Sequence, residues 1–426
     1  MSSLSTTVLA ATIRAIRNEL QRSTSGQSRF LWWGLDDSTP EHNLFAQITG
    51  LVQLSNLSAT LMGDLLPKSQ YPELANYCGA INAYFFYEIF SDNLAHGFGP
   101  LAVTDPTYLQ RRELIQHFNE AMIARLSGNT DDANHRMETL KSRCEAISSL
   151  DHNLNAEKRD ALLKIYAAAT GVSPEQAEFD LWSILQQNMG ACANLIDLLH
   201  DSPFQESLRE GLIRRYQSLN DLMCNDSTSV EDLLESSAWT ILIVPTLIFY
   251  TAALSQVSPL TKPVDDELLN EAVYSAAVLV RLLNDLGSMM TLPEATFRSD
   301  MDALRSTYQA HADSYPHIVS FLLDVTPTMP SLTRLHKDLR HGEHNVGFYR
   351  LAADSPVEDM LDELENNLHY YRQVYRQQIN HLLGTLDQLS EQCGDTRPSR
   401  LIERIVVFHE EMYAVPFEER AGEYAI

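Results

Sequence analysis

The residues best suited to chemistry sit in two short runs, each at the end of an apolar stretch. In the second half, residues 278–294 read Val-Leu-Val-Arg-Leu-Leu-Asn-Asp-Leu-Gly-Ser-Met-Met-Thr-Leu-Pro-Glu. Asn284 and Ser288 are four apart, so on a continuous helix their oxygens share one face, with Arg281 on the same edge. An amide oxygen and a hydroxyl beside a cation suit a hard magnesium ion that also holds phosphate oxygens. The same letters describe a helix C-terminus, because Asn, Asp, Gly and Ser before Pro293 are also turn formers. In the first half, Tyr84-Phe85-Phe86-Tyr87-Glu88-Ile89-Phe90-Ser91-Asp92-Asn93-Leu94-Ala95-His96 is an aromatic run ending in one acid. Phe85 and Glu88 lie seven and four residues before Asp92 and share its helical face. Taken alone, Asp92 and Asn93 also read as the end of a buried helix before the turn at residues 97–100.

The elements that position these runs are helices. Apolar residues recur at three- and four-residue spacing through 44–66, 73–96, 107–126, 174–200, 205–224, 229–256, 264–291, 298–323 and 355–389. No stretch alternates as a strand would. Turn chemistry separates the segments, and Ser173 and Ser355 precede prolines as helix caps. The expected architecture is an all-α, irregular bundle of about a dozen helices, one domain over 1–426. An acidic surface insertion is expected near 200–235. Ala238 to Val257 carries no charge but contains Pro245, which fits a buried, proline-kinked helix better than a membrane span.

Arg281-Leu-Leu-Asn284-Asp285-Leu-Gly-Ser288 resembles the second metal motif of class I terpene synthases, R-L-x-N-D-L-x-S/T-x-x-x-E. The aromatic run ending at Asp92 is similar to that family's first motif, D-D-x-x-D/E. Here only the first acid is kept, with Asn93 and His96 in the later places. The resemblance implies that Asn284, Ser288 and a following glutamate hold magnesium, and that the acid beside Asn284 pairs with an arginine. Position 292 is Leu, and Glu294 follows beyond Pro293, so Glu294 is the remaining choice for that third contact. Because carboxylates bind magnesium far better than imidazole does, Asp92 is the ligand expected on the facing helix, with Glu88 as an auxiliary.

The same resemblance implies a diphosphate-sensing arginine at the kinked helix, but no arginine occurs from 216 to 280. Arg281, Lys337, Tyr349 and Arg350 are therefore the expected diphosphate contacts, since guanidinium meets phosphate bidentately. The resemblance also implies a central apolar cavity; Phe85, Trp239, Phe249, Tyr250 and Tyr274 are expected as a group to wall it, with Phe85 suited to cation–π contact with a carbocation. The divergent motifs are similar to those of fungal humulene-type sesquiterpene cyclases.

Composition sets outer bounds. A formal charge of −26 disfavours nucleic acid and anionic membranes as partners. An anionic substrate then needs local cations. Five scattered cysteines without a C-x-x-C pair point to a reducing, cytoplasmic setting and away from a zinc site. The implied activity is ionisation of a prenyl diphosphate, farnesyl diphosphate preferred, with up to three magnesium ions and cyclisation to a sesquiterpene. No stable membrane insertion is expected, and a homodimer is left open. The alternatives are a non-catalytic helical protein binding a hydrophobic ligand or partner, its metal motifs decayed, and a prenyltransferase.

Overall fold

The structure, a computed structural model, describes residues 3–20, 26–95, 97–102, 107–147, 156–172, 181–224, 229–353 and 355–414. Four helices open the chain: α1 (Leu4–Leu20), α2 (Gly26–Gly34), α3 (His42–Ile48) and α4 (Leu51–Met62). The first motif lies on α5 (Tyr71–Leu94), followed by α6 (Tyr108–Leu126), α7 (Thr130–Ile147), α8 (Ala156–Thr170) and α9 (Leu181–Leu198). Then come α10 (Gln205–Cys224), α11 (Val230–Thr240) and α12 (Ile243–Val257), with the second motif on α13 (Asp266–Leu286). The last five are α14 (Glu294–Ala310), α15 (Ile318–Val325), α16 (Thr333–His341), α17 (Val357–Cys393) and α18 (Arg397–Ala414). Among the described residues everything regular is helical, as expected. The described residues form eighteen α-helices rather than a dozen, because several long runs break. Residues 44–66, for example, divide at Gly50, whose φ of 77° lies in the left-handed region.

Two apolar helices organise the core. α5 packs against α1, α4, α9 and α12, and α13 against α11, α12, α17 and α18, so α12 touches both. The approach of α1 to α5 depends on Gly79, where a Cβ would lie 2.6 Å from the Ala11 carbonyl carbon. α13 is capped by Asp265, whose carboxylate accepts the Glu267 and Leu268 amides at 3.0 and 3.1 Å. It stays buried almost to its end.

Three expectations are corrected here. The stretch near 200–235 is no surface insertion where it is described. Leu208, Leu212, Arg215, Tyr216 and Ser218 of α10 are buried, on a stripe facing α6, α11 and α12. The acidic residues that suggested an insertion occupy the opposite face. The kink falls before Pro245 rather than at it: α11 and α12 meet at 44° across Ile241 and Leu242. A proline ring clashes with the carbonyl four residues earlier, here Ile241, and so ends the preceding helix there. Finally, Pro356 rather than Ser355 occupies the cap of α17, with no side-chain hydrogen bond. Ser173 lies outside the described residues, and observed caps are Ser229 and Asp265. Among the described residues no single helix is long and apolar enough to cross a membrane; of these only the bent α11–α12 pair passes by length and composition, and α12 is buried within the protein.

Candidate functional site

α5, α10, the α11–α12 break and α13 surround a cavity of about 430 Å³. One helical face of α5 supplies Phe85, Glu88, Ile89 and Asp92, the spacing expected from the sequence. α10 supplies Arg215, Leu219, Leu222 and Met223; the break supplies Thr240, Ile241, Leu242 and Ile243; α13 supplies Val280, Arg281 and Asn284. Glu343 and His344, after α16, and His409 and Tyr413 of α18 also line it, with Leu54, Ala95, Phe98 and Ile115. Backbone bonds strap the segment after α5 to this turn: Gly97 donates to the His341 carbonyl at 3.0 Å and Gly99 to that of Gly342 at 2.7 Å. Asp92 and Glu343 are thereby brought to one end of the cavity.

Asp92 is open to the cavity solvent although protein surrounds it, and no described residue hydrogen-bonds its carboxylate. Burial, and then the nearby Glu343 carboxylate, raises its pKa above the ordinary value. A hard divalent cation at that place would relieve the repulsion, so Asp92 fits magnesium. Glu88 does not serve beside it. Its Oε1 accepts from Tyr216 at 2.6 Å and Asn188 at 3.0 Å, and its Oε2 meets Arg215 at 2.6 Å. Oε2 also accepts from the Ser91 hydroxyl at 3.4 Å, so this counter-ion of a buried arginine has both oxygens engaged by protein donors.

The second motif is arranged differently from its helical reading. α13 ends at Leu286, and Gly287 turns with φ 59° where a Cβ would strike the Arg334 side chain at 2.7 Å. Ser288 therefore falls in a 3-10 turn, off the Asn284 face and outside the cavity wall. The helix-end reading of these letters holds for the backbone. Asp285 pairs with Arg281 at 2.9 Å and accepts the Val346 amide at 2.9 Å. Asn284 lines the cavity, but its Oδ1 accepts from Arg334 at 2.9 Å and Tyr413 at 2.8 Å. Both lone pairs of that oxygen are engaged. Asn284, Ser288 and Glu294 thus do not fit a magnesium ion in this arrangement. Glu294 opens α14 instead, bonded to Arg298 at 3.1 Å and close to Arg372 and Arg376. The Leu292 carbonyl accepts from Arg372 at 2.7 Å. Among the described residues, no three His, Cys, Asp or Glu side chains gather as a metal cage.

Of the expected diphosphate contacts, Arg281 lines the cavity. Lys337 stands behind its wall, paired with Glu343 and with Asp338. Tyr349 and Arg350 are elsewhere: Arg350 is exposed and lies over the Tyr349 ring at 4.9 Å. Of the expected aromatics only Phe85 faces the cavity. Trp239 pairs with Tyr274 at 5.4 Å, and Phe249 packs between Tyr77 and Tyr250, whose hydroxyl meets Ser58. The break after Thr240 turns residues 240–243 inward in their place. Phe98, Arg215, Glu343, His409 and Tyr413 were not singled out by sequence. The visible signal was the α10 stripe, in which Arg215 begins an i, i+4, i+8 series with Leu219 and Met223.

His344 and His409 are neutral in the fold, because burial pushes both down to about 4 from 6.5. Below pH 6.5 the unfolded chain takes up protons that the folded chain refuses. The stability these rings contribute above pH 6.5 is therefore lost as pH falls toward 4. Urea midpoints are expected to drop between pH 7 and pH 5, and less steeply in the double variant His344→Gln/His409→Gln. An equal slope in both proteins would remove the two histidines as the cause.

No protein-family model matches the chain, and no curated protein matches it.

Proposed function

We propose that the chain is a class I terpene cyclase. It would ionise a prenyl diphosphate, farnesyl diphosphate preferred, and cyclise the cation to a sesquiterpene hydrocarbon. The observation that carries this reading is that Asp92, Arg281 and Asn284, the last 192 residues after the first, line one cavity whose remaining wall is largely apolar. A volume of about 430 Å³ lies within the usual range for small-molecule sites. Asp92 is the side chain suited to hold magnesium, which when bound neutralises charge on the departing diphosphate. Arg281 meets phosphate oxygens from α13. Phe85, Ile89, Leu219, Met223 and Val280 keep water from the cation, and Phe85 offers it an aromatic face. The free cysteines agree with a cytoplasmic setting.

The engaged Asn284 oxygen favours a second reading, a non-catalytic binder of an apolar ligand. Incubation with farnesyl diphosphate and magnesium separates the two. The expected result is a cyclic hydrocarbon in the headspace with matching diphosphate release, abolished by EDTA. No diphosphate release from geranyl, farnesyl or geranylgeranyl diphosphate would sink the enzyme reading.

A further inference from the structure

The cavity wall holds a second arginine in the same predicament as Arg281. Arg215 of α10 is 4 % exposed and donates through Nη2 to Glu88 at 2.6 Å, while Nε and Nη1 have no partner. Arg281 is similarly held by Asp285 and the His344 carbonyl, and its Nε has no partner. A buried donor without an acceptor is costly, and a charged one more so. Such a cost is compensated when an incoming anion supplies the missing acceptors. Glu88 is itself fixed by Tyr216 and Asn188, and Tyr216 is bonded to Tyr84 at 2.8 Å, so the guanidinium is held in place before any ligand arrives. The two cations belong to different helices that line one cavity, and the Asp92 carboxylate on its wall lies close enough to Arg215 for each to act on the other's charge.

We propose that Arg215 and Arg281 form a two-arginine clamp for the phosphate groups of the ligand, with Glu88 positioning Arg215. This rests on the diphosphate reading above, and it supplies from α10 the cation lacking between residues 216 and 280. Arginine suits the task because its planar fork gives two directed donors, which a lysine ammonium does not reproduce.

The test is binding of inorganic diphosphate, with magnesium chloride, to the full chain by calorimetry. Arg215→Lys keeps the charge and loses the fork, so its affinity is expected to fall about tenfold or more. Circular dichroism and melting temperature report whether that variant is folded. If it is not, a crystal structure of the unsubstituted chain with inorganic diphosphate decides, with a phosphate oxygen expected on Arg215 Nε or Nη1. Undiminished affinity in a folded Arg215→Lys protein, no diphosphate binding by the unsubstituted chain, or an anion bound away from Arg215 would each overturn the clamp. Continued turnover of farnesyl diphosphate in those cases would leave the cyclase reading standing. Diphosphate bound at Arg215 without turnover of any prenyl diphosphate would support the clamp and overturn the cyclase.

Discussion

Glu88→Ala is expected to destabilise the fold by about 3–5 kcal/mol, the usual loss when one partner of a buried ion pair is removed. The Arg215 guanidinium would stay buried with its ion-pair partner gone, and the Tyr216 and Asn188 donors would lose their acceptor. Glu88→Gln keeps an acceptor for those two donors and removes only the charge, so it should fall between the alanine variant and the unsubstituted protein. The paired change Glu88→Gln/Arg215→Met removes both charges and is expected to recover most of the loss, because a buried pair often contributes little net stability over an apolar replacement. Urea titrations of the four proteins measure this directly. If Glu88 were instead a metal ligand, Glu88→Ala would leave the apo protein's midpoint nearly unchanged and weaken only magnesium-dependent behaviour.

Asp92→Asn is expected to act in opposite directions on stability and activity. The folded protein raises the Asp92 pKa, so its ionised form is less favourable in the fold than in the unfolded chain. That cost appears as pH rises above the ordinary carboxylate value of 3.8 and is absent in acid. The melting temperature of the asparagine variant should therefore exceed that of the parent at pH 7 and converge with it at low pH. Turnover of farnesyl diphosphate should fall by about 10²–10³, the usual size of losing one charge-stabilising group at a reacting centre. An equally active variant would remove Asp92 from the site, and a lower melting temperature at pH 7 would mean that the carboxylate stabilises the fold.

The helical character of the chain was legible because a 3.6-residue pattern needs only local sequence to be read. The face joining Phe85, Glu88 and Asp92 was legible for the same reason, and so was the common edge of Arg281 and Asn284. Breaks were harder. Pro245 announced a kink, but the kink lies four residues upstream, where the proline ring meets a carbonyl. Gly287 looked like part of a helical motif, whereas its positive φ ends α13 and takes Ser288 off the Asn284 face.

By itself the sequence determined the all-helical class, the helical face shared by the polar residues within each run, and the need for cations near an anionic ligand in a chain of net charge −26. These follow from periodicity and composition, which do not depend on distant neighbours. Only the tertiary structure decided what each polar group has left to offer. It bound Glu88 to Arg215 across 127 residues and gave the Asn284 oxygen to Arg334 and to Tyr413 of α18. It also turned Trp239 and Phe249 away from the cavity they were expected to line. A side chain's free hydrogen-bonding capacity depends on partners brought together by packing, and neither residue type nor spacing along the chain records them.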